Sequence, residues 1–339
     1  NWVVANNGLT NTSVISLAIS GTNIFAGTFG GGIFLSTNNG TSWAAINNGL
    51  TNTSVFAIAV RDTNIFAGTF GGVFLSTNNG ISWNEASNGL TNVNVLSFAL
   101  NSTDLFAGTF GSGVFRSTNN GTSWTQIISG LPPDPNIRSL GISGLKLFAG
   151  TDGYGIYQST NNGTDWTPAN NGVTTIRFFA LSLSDSNIFA GSDAGIFRSS
   201  NNGASWEQIN SGFPGNSNIQ SLNYSETNLL AGTSAGGVFL STNNGDNWTS
   251  INNGLTDFFV SSLAAIGPNF FAGTYSGSIF RSTNYGINWE PLSNGLGSVW
   301  VLLVSTIGID DTVLFAGTNG SGVLLSTNSG TNWTPVNNG

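Results

Sequence analysis

Nine tryptophans stand in one register along the chain: Trp2, Trp43, Trp83, Trp124, Trp166, Trp206, Trp248, Trp289 and Trp333. Their intervals run 41, 40, 41, 42, 40, 42, 41 and 44 residues. A unit of that length is too short to bury a core alone, so it must stack on its neighbours and share one continuous interior. The 339 residues are therefore one domain, 1–339, and not the two or three that length alone would suggest.

Each period holds four short runs of strand length, seen first as Val14 to Ile19, Ile24 to Thr28, Ile33 to Thr37 and Ser42 to Ile46, here named A to D. The segments between them are rich in Gly, Asn and Ser, which tolerate turns and positive φ. Strand A alternates bulky and small residues with no charge on either face, as in Ser16-Leu17-Ala18-Ile19, which suits a sheet packed between two others with neither face open to water. Strand B ends in Ala-Gly-Thr or Ala-Gly-Ser in all eight units, from Ala26-Gly27-Thr28 to Ala316-Gly317-Thr318. Only small side chains are admitted there, as expected where sheets converge on an axis.

These features predict an all-β, eight-bladed β-propeller of four-stranded antiparallel blades. Residues 1–8, beginning at Trp2, repeat the D strand that Trp333 to Gly339 also supplies, so one D strand is surplus. Either copy can close the ring, and a displaced strand with free edges offers self-association by strand pairing. Two units have irregular approaches: Phe178 and Val304 align with Val14, which leaves Thr174 to Arg177 and Gly297 to Leu303 as longer lead-ins. The second carries Trp300, which lies outside the tryptophan series.

Between strands C and D every unit carries Ser-x-Asn-x-Gly-x-x-Trp, from Ser36–Trp43 to Ser326–Trp333. Eight matches in frame resemble the Asp-box, or BNR, repeat of sialidases, sortilin-type receptors and photosystem-assembly propellers, whose pattern is Ser-x-Asp-x-Gly-x-Thr-Trp. Here Asn38, Asn78, Asn119, Asn161, Asn201, Asn243, Asn284 and Asn328 replace the family's Asp. Asn keeps the acceptor oxygen a turn needs while a cation site would lose its anionic ligand. The box is thus expected to shape a hairpin, with Trp packed on the blade. The Asn-Asn-Gly-Leu-Thr-Asn linkers look like those of repetitive surface proteins that some bacteria export, often through type IX secretion.

Sialidase chemistry, which the resemblance raises, needs converging arginines. Arg116, Arg198 and Arg281 instead share one slot before the box Ser, on units three, five and seven, and are expected to be solvated strand residues. Cys, His and Met are absent, so thiolate, imidazole and His or Cys metal chemistry are excluded. No enzymatic activity, cofactor or metal is expected.

With 15 acidic and 7 basic residues, net −8, the chain offers no cationic stripe to a phosphate backbone, and nucleic acid is not an expected partner. No apolar run reaches membrane-spanning length, so insertion is not expected either. Lacking Met and starting inside a repeat at Asn1, the chain is read as processed or excerpted, its missing leader being a removed secretion signal. Location is thus expected to be extracellular or at the cell surface.

In propellers the B–C and D–A loops share one face, and loops on rigid scaffolds carry binding. The residue after strand B reads Phe29, Phe70, Phe110, Asp152, Asp193, Ser234, Tyr275 and Asn319, varied between fixed flanks, which makes it the candidate ligand-binding ring. Its aromatics either stack on sugar rings or cap the channel mouth. Asp152 and Asp193, on adjacent units, invite a glycosidase reading, since that chemistry needs two carboxylates. The other acids, Asp104 among them, are expected to be solvated in A–B turns. The leading expectation is a secreted, non-enzymatic surface or matrix propeller, structural or adhesive, with a second copy or an extracellular polysaccharide as partner. The alternatives are a lectin-like module using the ring and a carbohydrate-active enzyme.

Overall fold

The computed structural model describes the chain apart from residues 1–7, 22, 39–41, 91–93, 144–145, 176, 185–186, 215–216, 226, 294–298, 307–311, 319–321 and 327–339. The fold is an all-β propeller. In the first blade the strands are A (Val14–Ser20), B (Asn23–Thr28), C (Ile33–Ser36) and D (Ala44–Ala45), paired antiparallel in chain order. Strand D is only two residues long, shorter than the run its sequence suggests.

The expected eight four-stranded blades are corrected to seven. The last unit forms a three-stranded sheet among the described residues, from Val299–Thr306, Thr312–Thr318 and Gly322–Ser326. The surplus D strand expected at residues 1–8 lies, but for Gly8, outside the described residues, as does its C-terminal copy. Strand A of the first unit packs beside strand A of the last, which closes the ring.

The A strands stand innermost, each packed beside the A strand of the next unit, while B is second. Contrary to the sequence expectation, the fully dry strand is B: Ile24 to Thr28 are all buried, whereas most of strand A is half-buried. The small residues of strand B have a neighbour to clear. A Cβ on Gly27 would stand 2.9 Å from Val55 Cγ1 on strand A of the following blade and 2.2 Å from Ser16 Oγ.

The hydrophobic core is divided into layers between blades. Phe25 and Ile33 of blade one pack with Val55, Ile65, Phe74 and Trp83 of blade two. Phe106 and Val114 of blade three pack likewise with Ile137, Leu147, Tyr157 and Trp166 of blade four. Phe25 is completely buried, and each such ring stabilises the stack by roughly 1.5–3 kcal/mol.

The box is a closed hydrogen-bonded hairpin. In blade two the Ser76 hydroxyl donates to Asn78 Oδ1 at 2.9 Å and accepts from the Gly80 N–H at 2.8 Å. Asn78 Oδ1 also accepts from the Ser82 N–H at 3.0 Å. Its Nδ2 then donates to Ser82 Oγ at 2.9 Å, a bond an Asp could not make. Equivalent amide bonds link Asn119 to Ser123 and Asn201 to Ser205. Asn thus serves the hairpin as both acceptor and donor and places no charge in the box.

Beyond the hairpin, the box tryptophan joins blades. Trp124 donates through its backbone N–H to Asn88 O at 2.8 Å and through Nε1 to Ala86 O at 2.7 Å, both in the segment leaving blade two. Trp166 and Trp248 make the same indole bond to Ile127 and Ile209.

Candidate functional site

The B–C and D–A loops do share one face, the mouth. Gly30 and Gly32 both donate to Thr53 O, at 3.0 and 2.8 Å, across from one loop class to the other. The hydroxyl ending strand B holds each B–C loop in shape: Thr28 Oγ1 donates to Gly32 O at 2.9 Å and accepts from the Gly31 N–H at 3.1 Å. Thr109, Thr151 and Ser192 repeat the donor bond, which is why strand B ends in Thr or Ser.

The residue after that hydroxyl is fixed by its backbone and free in its side chain. Phe29, Asp152, Ser234 and Tyr275 each donate a backbone N–H to the incoming D–A segment, at 2.8–3.1 Å. Phe29, Phe70, Phe110 and Tyr275 are between 44% and 55% exposed, so they do not vanish into the core. Asp152, Asp193 and Ser234 are half-buried, and Asn319 lies outside the described residues.

The structure brings some of this ring together and leaves the rest apart. Phe29, Phe56 and Phe70 form an edge-to-face cluster, with centroids 6.3, 6.0 and 4.5 Å apart. Tyr275 stacks on Phe259 at 4.8 Å with planes 16° apart. Asp152 Oδ2 accepts from Arg138 Nη2 at 3.0 Å and its Oδ1 lies 3.9 Å from Arg177 Nε. Asp193 Oδ1 accepts from the Thr175 hydroxyl. Both carboxylates of the glycosidase reading are therefore engaged by neighbours in the mouth.

A second ring was missed. In every one of the eight units strand A carries a β-bulge near its start, as between Val14 and Ser16 in the first. The extra residue in each case is Ile15, Phe56, Leu96, Arg138, Phe179, Gln220, Ser261 or Trp300. Bulges re-aim a side chain and are frequent at binding rims. The available signal was a chemically mixed column beside an unvarying apolar one. It also corrects the alignment of the last unit, where Val299, paired with Thr318, takes the place of Val14, and not Val304. Trp300 is thus the bulge residue and not part of a longer lead-in.

Ile15, Phe29, Phe56, Leu96 and Arg138 line an open cavity of about 430 Å³ at the mouth over blades one to four. A polar cleft of about 260 Å³ lies over blade six, between Pro214, Asn218 and Ser234. At blade seven, Asp257 Oδ1 accepts from the Phe259 N–H at 3.1 Å and Oδ2 from the Ser276 hydroxyl. Burial raises the Asp257 carboxyl, but hydrogen bonds from Ser276, Thr274 and two backbone N–H groups outweigh it and hold the group below its ordinary value of 3.8.

The opposite face overturns two expectations. Asp104 is not solvated: its side chain is 4% exposed and accepts from Arg116 Nη2 at 2.8 Å and from Asn162 of blade four. Arg116, Arg198 and Arg281 are not free strand residues either. Arg198 pairs with Glu207 on its own blade and Asp246 on the next, both at 2.6 Å, and Arg281 pairs with Glu290. A local acid offsets each charge, and the three stand in separate sheets. Among the described residues no group of three or more His, Cys, Asp or Glu side chains is placed to hold a metal.

The fold and the boxes define an Asp-box-type β-propeller. Residues 105–235 match a DUF6242 beta propeller domain, and residues 279–292 match the BNR-Asp box repeat. No curated protein matches the chain. Among solved structures it is similar to the computationally designed Ika8 protein, at 13% identity and TM-score 0.70, covering 94% of this chain and 96% of that one. YCF48 bound to D1 peptide is similar at 16% identity and TM-score 0.59, covering 82% and 94%. The GH74 enzyme of Niastella koreensis is similar at 16% identity and TM-score 0.53, covering 98% of this chain and 66% of that one. At these identities the likeness is one of fold.

Proposed function

We propose that the chain is a non-enzymatic docking or adhesive propeller, working outside the cell, whose mouth face holds its partner. One observation carries this reading: of the eight exposed aromatics among the described residues, seven, Phe29, Phe70, Phe110, Tyr154, Phe179, Phe258 and Tyr275, lie on the mouth loops and strand starts, and Tyr285 alone lies on the opposite face, in a box hairpin. Exposed aromatic surface concentrated on one face marks an interaction site. The Asp152 and Asp193 carboxylates there are bound to arginines or a threonine, which supports docking over catalysis. Low charge and near-identical units suit a surface module whose rigid frame presents one variable rim.

The test is adhesion of the whole chain to immobilised envelope and matrix polymers of the producing cell. Changing Phe110, Phe258 and Tyr275 together to Ser is expected to lower binding at least tenfold with the fold retained. Unchanged adhesion by that variant removes the reading.

A polysaccharide ligand has one observation of its own. Tyr275, stacked flat on Phe259 beside the Asp257 carboxylate and the Ser276 hydroxyl, offers a sugar both a planar face and acceptors. Glycan-array binding that Tyr275→Ala removes supports this version, and an array without hits excludes it.

A further inference from the structure

We propose that the cavity over blades one to four is a pocket for an extended protein segment carrying an apolar side chain followed by an Asp or Glu. This rests on the docking reading above and names the partner's chemistry. Ile15, Phe56 and Leu96 are bulge residues of three successive inner strands, Phe29 comes from a B–C loop, and Arg138 is the bulge residue of the fourth strand.

Four of the five side chains lining the cavity carry no donor or acceptor, so it desolvates an apolar group and leaves sugar hydroxyls unpaired. Its volume of about 430 Å³ falls in the range of sites that hold small ligands or single side chains with adjoining backbone. Arg138 is the one charged side chain in the lining. It gives one Nη2 bond to Asp152, which also faces Arg177, so two guanidinium groups share one carboxylate on this arc. A planar guanidinium has two donor edges, and the second takes a carboxylate brought by the partner. The net charge of −8 repels acidic partners at long range, but screening confines that repulsion to about 8–10 Å at physiological salt.

The experiment titrates the whole chain with the peptide Gly-Ser-Phe-Glu-Gly-Ser, followed through the methyl NMR signals of Ile15 and Leu96. A second peptide has Gln in place of Glu, and a tetragalacturonate is the carbohydrate arm. Saturable shifts with the Glu peptide are expected, with at least tenfold weaker binding of the Gln peptide. Arg138→Gln should abolish that discrimination, Arg138→Lys should restore part of it, and Phe56→Ala should weaken both peptides. Equal binding of the two peptides, no saturable shift, or occupation by tetragalacturonate alone overturns the proposal. If the Phe110, Phe258 and Tyr275 variant loses adhesion while the peptides fail to bind, only the pocket assignment falls. Peptide binding with undiminished adhesion of that variant overturns the docking reading instead.

Discussion

The indole Nε1 of Trp124 donates to the carbonyl of Ala86 at 2.7 Å, so the tryptophan of the third box is anchored on the segment that leaves the second blade. Neighbouring blades are thus joined by a directed hydrogen bond as well as by the apolar layers between them.

Trp124→Phe keeps most of the buried ring but strands the Ala86 carbonyl. A loss of about 1–2 kcal/mol is expected, against about 3–5 kcal/mol for Trp124→Ala. Denaturant midpoints at constant m-value measure both. Equal stability of Trp124→Phe and the parent chain would mean that the bond contributes nothing.

Gly89 and Gly111 separate backbone conformation from crowding. Both have positive φ, +91° and +79°, but a Cβ on Gly89 would stand 2.0 Å from Trp124 O, whereas one on Gly111 meets nothing within 4 Å. Gly111→Ala should cost about 1 kcal/mol, the left-handed penalty alone. Gly89→Ala should cost clearly more, because it pushes the Trp124 backbone away from the blade before it. Thermal unfolding of the two variants side by side tests this, and equal shifts would refute the close approach.

Asp104 crosses blades from a buried position, so its removal leaves Arg116 and Asn162 without their shared acceptor. Asp104→Ala is expected to destabilise the protein by about 2 kcal/mol or more. The loss should change little between low and moderate salt, because buried pairs are poorly screened. Exposed Glu207→Ala should cost under about 1 kcal/mol and respond to salt.

Asp257 sets a pH dependence on the mouth. Its folded-state value lies below the ordinary 3.8, so the stabilisation it gives is fully present above 3.8 and is lost as pH falls through the lower folded-state value. Asp257→Asn should therefore be less stable than the parent near pH 6, with the gap closing in acid. A gap that widens as pH falls contradicts the assignment. The Asp257→Asn chain should also loosen the Phe259 and Tyr275 stack, visible in tyrosine fluorescence.

Strands B and C, the turn positions and the Asn-box hairpin were legible in the sequence because each is set by residues within a few positions of one another, whereas the length of strand D and the start of strand A in the last unit were not. The mouth ring was legible for a related reason: Phe29 and its counterparts follow a hydroxyl that clamps its own loop four residues on. What linear order hides is proximity across blades. Asp104 looked like any turn carboxylate, and only the stacking of blade four beside blade three shows it buried under Asn162. Arg198 looked solvated until the box of the next blade brought Asp246 to its guanidinium.

By itself the sequence determined a ring of repeated β units and the face on which its chemistry varies, since a fixed period and local turn residues leave no other regular solution. Only the tertiary structure decided that seven blades are four-stranded and that strand-A bulges bring Ile15, Phe56, Leu96 and Arg138 to one cavity at the mouth. Inter-blade contacts join residues about 40 positions apart, as Trp124 and Ala86 are, and their encounter is fixed by closure of the whole ring and not by any one unit.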